Sequence, residues 1–247
     1  MYKFFVNNEQ ISDKHIEIRE SDVNHIVNVL RLGVGSKVIV CDKQNSISYM
    51  VEIEKLEKEK VLGLIIEKIE DTTETYINID LFQGLPKADK MEYIIQKGTE
   101  LGVKNIFPVI LERCIVKIDE KSIVKKIDRW QKIAEVAAKQ SKRDIVPKIE
   151  NVINLENICK NIDKYDIIIL AYENENKTSL KEELKKLNKN KKLNIGIIIG
   201  PEGGFSEREI QRLVECGTKC VSLGKRILRT ETASIVAISN IIYEFEL

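Results

Sequence analysis

The chain has 247 residues, enough for one large or two small domains with a buried core. Its 40 Lys and Arg balance 39 Asp and Glu to a net charge of +1, which excludes a globally polybasic surface and leaves any nucleic-acid face local. Cys41, Cys114, Cys159, Cys216 and Cys220 form no C-x-x-C pair, only Cys216 and Cys220 lie close, and the histidines are His15 and His25, so no metal site is expected. This composition predicts a reduced, cytoplasmic protein. No signal peptide is visible, nor any apolar run of the ~18 residues a membrane helix needs.

Residues 1–70 read as mostly strand, with apolar or alternating stretches at 2–6, 37–42, 47–54 and 61–69, broken by Gly33, Gly35 and Gly63. One short helix is expected over about 22–30, capped by Ser21. The pattern suggests a small β-barrel-like domain over 1–70. The polar stretch 70–75 that follows has no periodicity and is the best linker candidate. From Tyr76 the pattern changes to strands at 76–82, 104–110, 166–171, 194–199 and 219–223, alternating with helices near 87–101, 119–142, 178–188, 206–216 and 231–244. Such alternation predicts a mostly parallel sheet covered on both faces, occupying 71–247. Ser206 and Glu209 spell a capping box, and Gly217 and Gly102 stand where a left-handed residue ends a helix.

Two glycine-bearing segments in the last quarter carry the strongest functional signal. Apolar Ile195–Ile199 runs into Gly200-Pro201-Glu202-Gly203-Gly204, and Val221 to Leu223 run into Gly224 and then Arg226-Ile227-Leu228-Arg229-Thr230-Glu231. Strand ends that stop at glycine and enter a helix are the ligand-binding ends of α/β sheets. A polyphosphate loop carries a central lysine; Glu202 suits a neutral or cationic ligand instead, or simply caps a tight turn. Ile227 and Leu228 are apolar inside a loop and can wall an apolar ring, while Arg229 precedes a helix whose first residues are Thr230 and Glu231. An ion pair of Arg229 with Glu202 or Glu231 is the plain structural alternative.

Three further segments are candidates for RNA contact. Lys87 and Lys90 follow Pro86 at a helix start, where phosphate binds readily. In the helix around Trp130, residues Ile133, Val136, Ala137 and Gln140 share a packing face, and Gln140, Ser141 and Arg143 at its end are polar groups that can face a site or a backbone phosphate. Near the N-terminus, Arg31 with Lys3 and Lys37 can form a basic patch, whereas His25 on the same helix suits a structural role.

Taken together, F-Q-G-L-P-K-A-D-K-M-E at 82–92, R-W at 129–130 with Q-S-K-R at 140–143, I-G-P-E-G-G-F-S-x-x-E at 199–209 and L-G-x-R-I-L-R-T-E-T-A at 223–233 resemble the RsmE family. These are bacterial 16S ribosomal RNA uridine N3-methyltransferases of the SPOUT class. H-x-x-x-V-L-R at 25–31 extends the resemblance over essentially the whole chain. It implies an N-terminal PUA-like barrel that helps hold RNA, an α/β SPOUT domain with a trefoil knot, and a homodimer acting on 16S rRNA or the small ribosomal subunit. S-adenosylmethionine is the implied cofactor, held by loops 200–204 and 223–229 with Leu170-Ala171 as a third strand end. Arg229 is the leading catalytic residue, for charge on the uracil carbonyls, and Glu202 or Glu231 the proton acceptor. Arg226 joins Lys3, Arg31, Lys87, Lys90 and Arg143 as expected RNA contacts. Lys3 and Lys139 depart from the residues common in the family at those places. The nearest relatives of another specificity, ribose 2′-O-methyltransferases, resemble the chain in the glycine loop but not in I-L-R-T-E-T.

Overall fold

The computed structural model describes residues 1–115 and 120–246. The chain divides into two compact units: the first comprises Met1–Glu74 and Ala138–Val146, and the second the remaining described residues.

The first unit is a curled five-stranded sheet. Its strands are β1 (Lys3–Val6), β2 (His15–Arg19), β3 (Lys37–Asp42), β4 (Ile47–Leu56) and β5 (Lys60–Ile69), in the order β1-β3-β4-β5-β2. Only β1 and β3 run parallel; the other pairs are antiparallel. Alternation aims Phe4, Ile16, Ile18, Val38, Val40, Val51 and Ile53 into one core, closed by Val23 and Ile26 one helical turn apart. Strand β2 is absent from the strands expected from sequence, although Ile16 and Ile18 alternate with His15, Glu17 and Arg19 as a half-buried strand requires; the pattern is only five residues long. The expected helix is present as α1 (Ser21–Asn24), continued by a wide π-type turn over His25–Val29. Ser21 does not cap it. Glu20 occupies the cap position at φ +59° without a side-chain hydrogen bond, and Ser21 is the first helical residue.

Phe5 and Cys41 point to the opposite side of the sheet, where Ala138 and Val146 cover them. This segment brings in a polar cluster. Asp144 accepts hydrogen bonds from Lys3 Nζ at 2.5 Å, Ser48 Oγ at 2.5 Å, Thr72 Oγ1 at 3.1 Å and the Thr73 N–H at 3.0 Å. Arg143 is paired with Glu74, whose carboxylate also takes the N–H groups of Asp144 and Ile145. The RNA contacts expected at Lys3 and Arg143 are therefore corrected. Lys3 is 6% and Arg143 3% exposed, and both charges are engaged inside the unit. Lys139 pairs with Asp22 at 2.8 Å. Burial pushes the Cys41 thiol up to about 11, which leaves it inert.

In the second unit, β6 (Asn78–Gly84), β7 (Asn105–Ile110), β8 (Lys148–Ile149), β10 (Ile167–Ala171), β11 (Asn194–Ile199) and β12 (Lys219–Val221) form the order β12-β10-β11-β6-β7-β8, with β9 (Ile153–Asn154) beside β7. Every pairing is parallel, as the alternation predicts. Both faces are covered, which is why β10 and β11 read as near-continuous apolar, Ile-rich runs. Phe82, Ile168, Leu170 and Ile198 pack on one face with residues of α4 (Leu155–Lys160) and α6 (Glu207–Glu215). The other face meets α7 (Thr230–Glu246), which also packs on α2 (Lys90–Glu100) and α5 (Leu180–Lys185).

Differences from expectation have local causes. α2 starts later than position 87 because Ala88 sits at φ +51°. In α3 (Glu120–Gln140) the buried residues include Trp130, Ala134 and Ala137, whereas Val136 is 67% exposed, so the expected face is off by part of a turn. The expected helix start at Asp119 lies outside the described residues. β8, β9 and α4 are too short for periodicity to reveal. The Ser206–Glu209 capping box is present, and Gly102 and Gly217 have φ of +98° and +107°. Cys159 and Cys216, 57 positions apart in sequence, form a disulfide, which overturns the fully reduced expectation.

One buried side chain joins the strand ends. Gln83, fully buried at the end of β6, donates from Nε2 to Gly84 O and Thr230 Oγ1, both at 2.9 Å, and accepts from Ser234 Oγ at 2.5 Å. Thr230 Oγ1 in turn donates to Gly200 O at 2.6 Å.

Asp144→Ala leaves the Lys3 ammonium buried without its carboxylate and is expected to cost about 3–5 kcal/mol, read as a lower urea midpoint. Burial acts to raise the Asp144 carboxyl, but hydrogen bonds from Lys3, Ser48 and Thr73 outweigh it and hold the group below its ordinary range. Its contribution is therefore full above the unfolded Asp value of ~3.9 and is lost as pH falls through the lower native value. An Asp144→Asn variant is expected to lack that part of the acid transition. Gln83→Leu strips partners from Thr230, Ser234 and Gly84 and is expected to cost about 1–3 kcal/mol, measured by the same titration.

Candidate active site

Parallel strands β6, β10, β11 and β12 deliver their C-terminal loops to one edge of the second unit. There the segments after β10, β11 and β12 line a cavity of about 360 Å³, a size suited to a cofactor. The chain approaches itself closely here. A Cβ on Gly84 would stand 2.6 Å from Pro201 Cδ, and one on Gly204, at φ +67°, would stand 2.8 Å from Glu173 Oε1. Only glycine permits this turn to fold back beside the neighbouring strand ends.

The cavity has charged groups at its rim and apolar walls within. Lys90, at the first turn of α2, places Nζ 2.9 Å from Glu202 Oε1 and 3.2 Å from Glu231 Oε2. The Lys87 N–H also donates to Glu202, at 3.1 Å. Burial acts to raise the Glu202 carboxyl, but the bond from Lys90 and the backbone N–H groups of Glu202 and Lys87 hold it below the ordinary range. The bond from Glu202 raises the Lys90 ammonium correspondingly, so both stay charged at neutral pH. Arg229 has no ion pair among the described residues, so the pairing with Glu202 or Glu231 weighed from sequence is taken by Lys90 instead. Ile227, in the cavity lining, is 86% exposed.

Of the residues expected to hold a cofactor, Ala171, Gly200, Pro201, Glu202, Gly204, Leu223, Gly224, Ile227, Leu228 and Arg229 line the cavity, as does Arg226. Leu170 does not; it is buried in β10. Gly203 lies outside the lining, its carbonyl accepting from Arg113 Nη1 at 3.1 Å. Glu231 faces a separate, shallower hollow between α2 and α7. Lys90, expected at an RNA phosphate, instead bridges the two carboxylates; Lys87, and in the first unit Arg31, are exposed. Sequence reasoning missed Tyr172, Glu173, Phe205, Ser222, Thr230 and Ala233 in the lining. Tyr172 and Glu173 carried a signal, since they directly follow the end of β10. Among the described residues no cluster of His, Cys, Asp or Glu is arranged to hold a metal ion, and no helix is long and apolar enough to cross a membrane.

Comparison with known proteins agrees with this geometry. Residues 73–242 match the RNA methyltransferase domain family and residues 18–66 the RNA methyltransferase PUA domain family. The ribosomal RNA small subunit methyltransferase E of Bacillus subtilis is 38% identical, over 100% of this chain and 98% of its own. That of Aquifex aeolicus is 32% identical, over 94% and 91%. The crystal structure of the ribosomal RNA small subunit methyltransferase E from Neisseria gonorrhoeae, bound to S-adenosyl methionine, superposes with a TM-score of 0.86 at 31% identity, over 98% of this chain and 97% of that one. A full-length match at this identity, in a chain that carries both RNA methyltransferase domain types, leaves one assignment: the chain belongs to the ribosomal RNA small subunit methyltransferase E family.

Proposed function

We propose that this protein methylates N3 of a uridine in 16S ribosomal RNA, using S-adenosylmethionine. The observation that carries the reading is the convergence of both glycine loops on one cavity beside a Lys90–Glu202 ion pair, in a chain of this family. The residues fit the cofactor. Leu223, Ile227 and Leu228 offer apolar walls for an adenine ring, and Glu173 and Glu202 offer negative charge to a cation. Bound there, the cofactor supplies an electrophilic methyl group on a positively charged sulfur.

The protein's part is to make N3 nucleophilic. That nitrogen carries a proton, so transfer requires its removal and stabilisation of charge spreading to the carbonyls. Arg229 lines the cavity with no competing ion pair and suits the second task. Lys90 and two backbone N–H groups hold the charge of Glu202, so Glu231 is assigned the proton. N3 lies on the pairing edge, and the uridine must be unpaired or flipped out to react. Exposed Lys87, Arg226 and Arg31 are assigned to RNA backbone contact, and the curled N-terminal sheet to holding RNA.

The reading extends to the small ribosomal subunit as substrate, a cytoplasmic location and a homodimer. Tyr243 on α7, 68% exposed, supports a partner surface. The strand order, with β11 inside and β12 outermost beyond β10, supports a trefoil knot through loops 200–204 and 223–229.

The test is methylation of 16S rRNA or small subunits from cells lacking this protein. A product that arrests reverse transcription and is identified as N3-methyluridine by mass supports the reading, and a ribose-methylated product contradicts it. Arg229→Ala is expected to bind S-adenosylmethionine by calorimetry with little change and to lose about 10²–10³ in kcat. Gly204→Val, strained at φ +67° and forced against Glu173, is expected to lose measurable cofactor binding in the same titration.

A further inference from the structure

The cofactor cavity and the hollow between α2 and α7 are separate concavities, and Lys90 is the residue their linings share. Glu202 faces the first and Glu231 the second. Tyr93, 47% exposed, and partly buried Ile235 stand on the walls of the second, beside Thr232. Glu231 Oε2 is shielded from water, and the Lys90 ammonium 3.2 Å away is its polar neighbour among the described residues. About 17% of the Glu231 side chain remains open. With Oε2 turned to Lys90, that open part of the carboxylate is what a group seated in the hollow can reach.

We propose that the hollow between α2 and α7 is the docking site of the acceptor uracil, read by Glu231 and Lys90 with Tyr93 and Ile235 as its apolar walls. The inference rests on the functional reading above and names the place where its substrate base sits. Uracil presents a carbonyl, an N–H and a second carbonyl along one edge. Glu231 accepts from N3–H, and Lys90, whose ammonium has three protons and two carboxylate partners, gives the remaining one to a flanking carbonyl. The other carbonyl is left to Arg229. Cytosine carries no proton on N3, so its N3 lone pair would oppose the Glu231 carboxylate, which excludes it. An exposed tyrosine ring beside such a site provides a stacking face for a base without regard to its identity.

The chemistry balances where the two concavities meet at Lys90. The proton leaves N3 for the Glu231 carboxylate. The N3 electron pair forms the new N–C bond while the methyl carbon–sulfur bond breaks, the sulfur keeps that pair as a neutral thioether, and Glu231 returns its proton to water.

The test uses the full chain with small subunits reconstituted from 16S rRNA transcribed with 4-thiouridine, irradiated in the presence of S-adenosylhomocysteine. The crosslinked peptides are expected to include Tyr93 or the 231–235 segment. In parallel, Tyr93→Ala is expected to lower kcat/KM by 10-fold or more with S-adenosylmethionine affinity unchanged, and Tyr93→Phe to restore it. Lys90→Met is expected to lose more than Lys90→Arg. Crosslinks confined to other segments, together with unaltered kinetics in Tyr93→Ala, overturn this site while leaving the functional reading intact. A wild-type protein that methylates no uridine at N3 overturns both.

Discussion

Gln83 is the point on which the site depends. Its amide is fully buried and reaches three structural pieces at once: its own strand end at Gly84, the first turn of α7 through Thr230 and Ser234, and, through Thr230, the Gly200 carbonyl at the end of β11. A buried amide with each partner in place is directional in a way apolar packing is not. It therefore sets the spacing between the glycine turn and the loop that ends at Arg229. Hydrophobic burial makes the parallel sheet, and this network decides how its C-terminal edge is arranged.

The charges follow from that arrangement. Because α7 starts where Thr230 holds it, Glu231 comes within reach of Lys90, and because Pro201 lies against Gly84, so does Glu202. One ammonium between two carboxylates keeps them from repelling each other at close range. Their surroundings are unequal: Glu202 also takes backbone N–H groups, while Glu231 Oε2 has the Lys90 ammonium as its polar neighbour among the described residues. Two acids on either side of one lysine thus acquire different chemistry from their surroundings, which is the general route to separate roles for like groups.

Much of this was legible in the sequence. The Ile runs of β10 and β11, the glycine turn at 200–204 and the Arg229-Thr230-Glu231 helix start announced both the sheet and the cavity, because short-range rules govern strands, caps and turns. The trade of partners at Lys90 was not legible. It joins residues 90, 202 and 231, and no local pattern ranks Lys90 above Arg229 as the mate of Glu202. The same holds for Lys3 and Arg143, basic residues that look solvent-facing until Asp144 and Glu74 are brought beside them. Tertiary contact also paired Cys159 with Cys216 and placed 138–146 in the first unit. Strand β2 is a different case: Ile16 and Ile18 alternate with polar residues as a half-buried strand requires, but over only five residues.

The central claim is that a methyl donor in the cavity addresses the α2–α7 hollow across Lys90. A crystal structure of this protein with S-adenosylmethionine tests it most directly. The account predicts the adenine ring against Leu223, Ile227 and Leu228, with the methyl carbon turned toward Lys90 and the hollow that Glu231 faces. A cofactor bound with its sulfur turned away from Lys90, or bound outside this cavity, would contradict it.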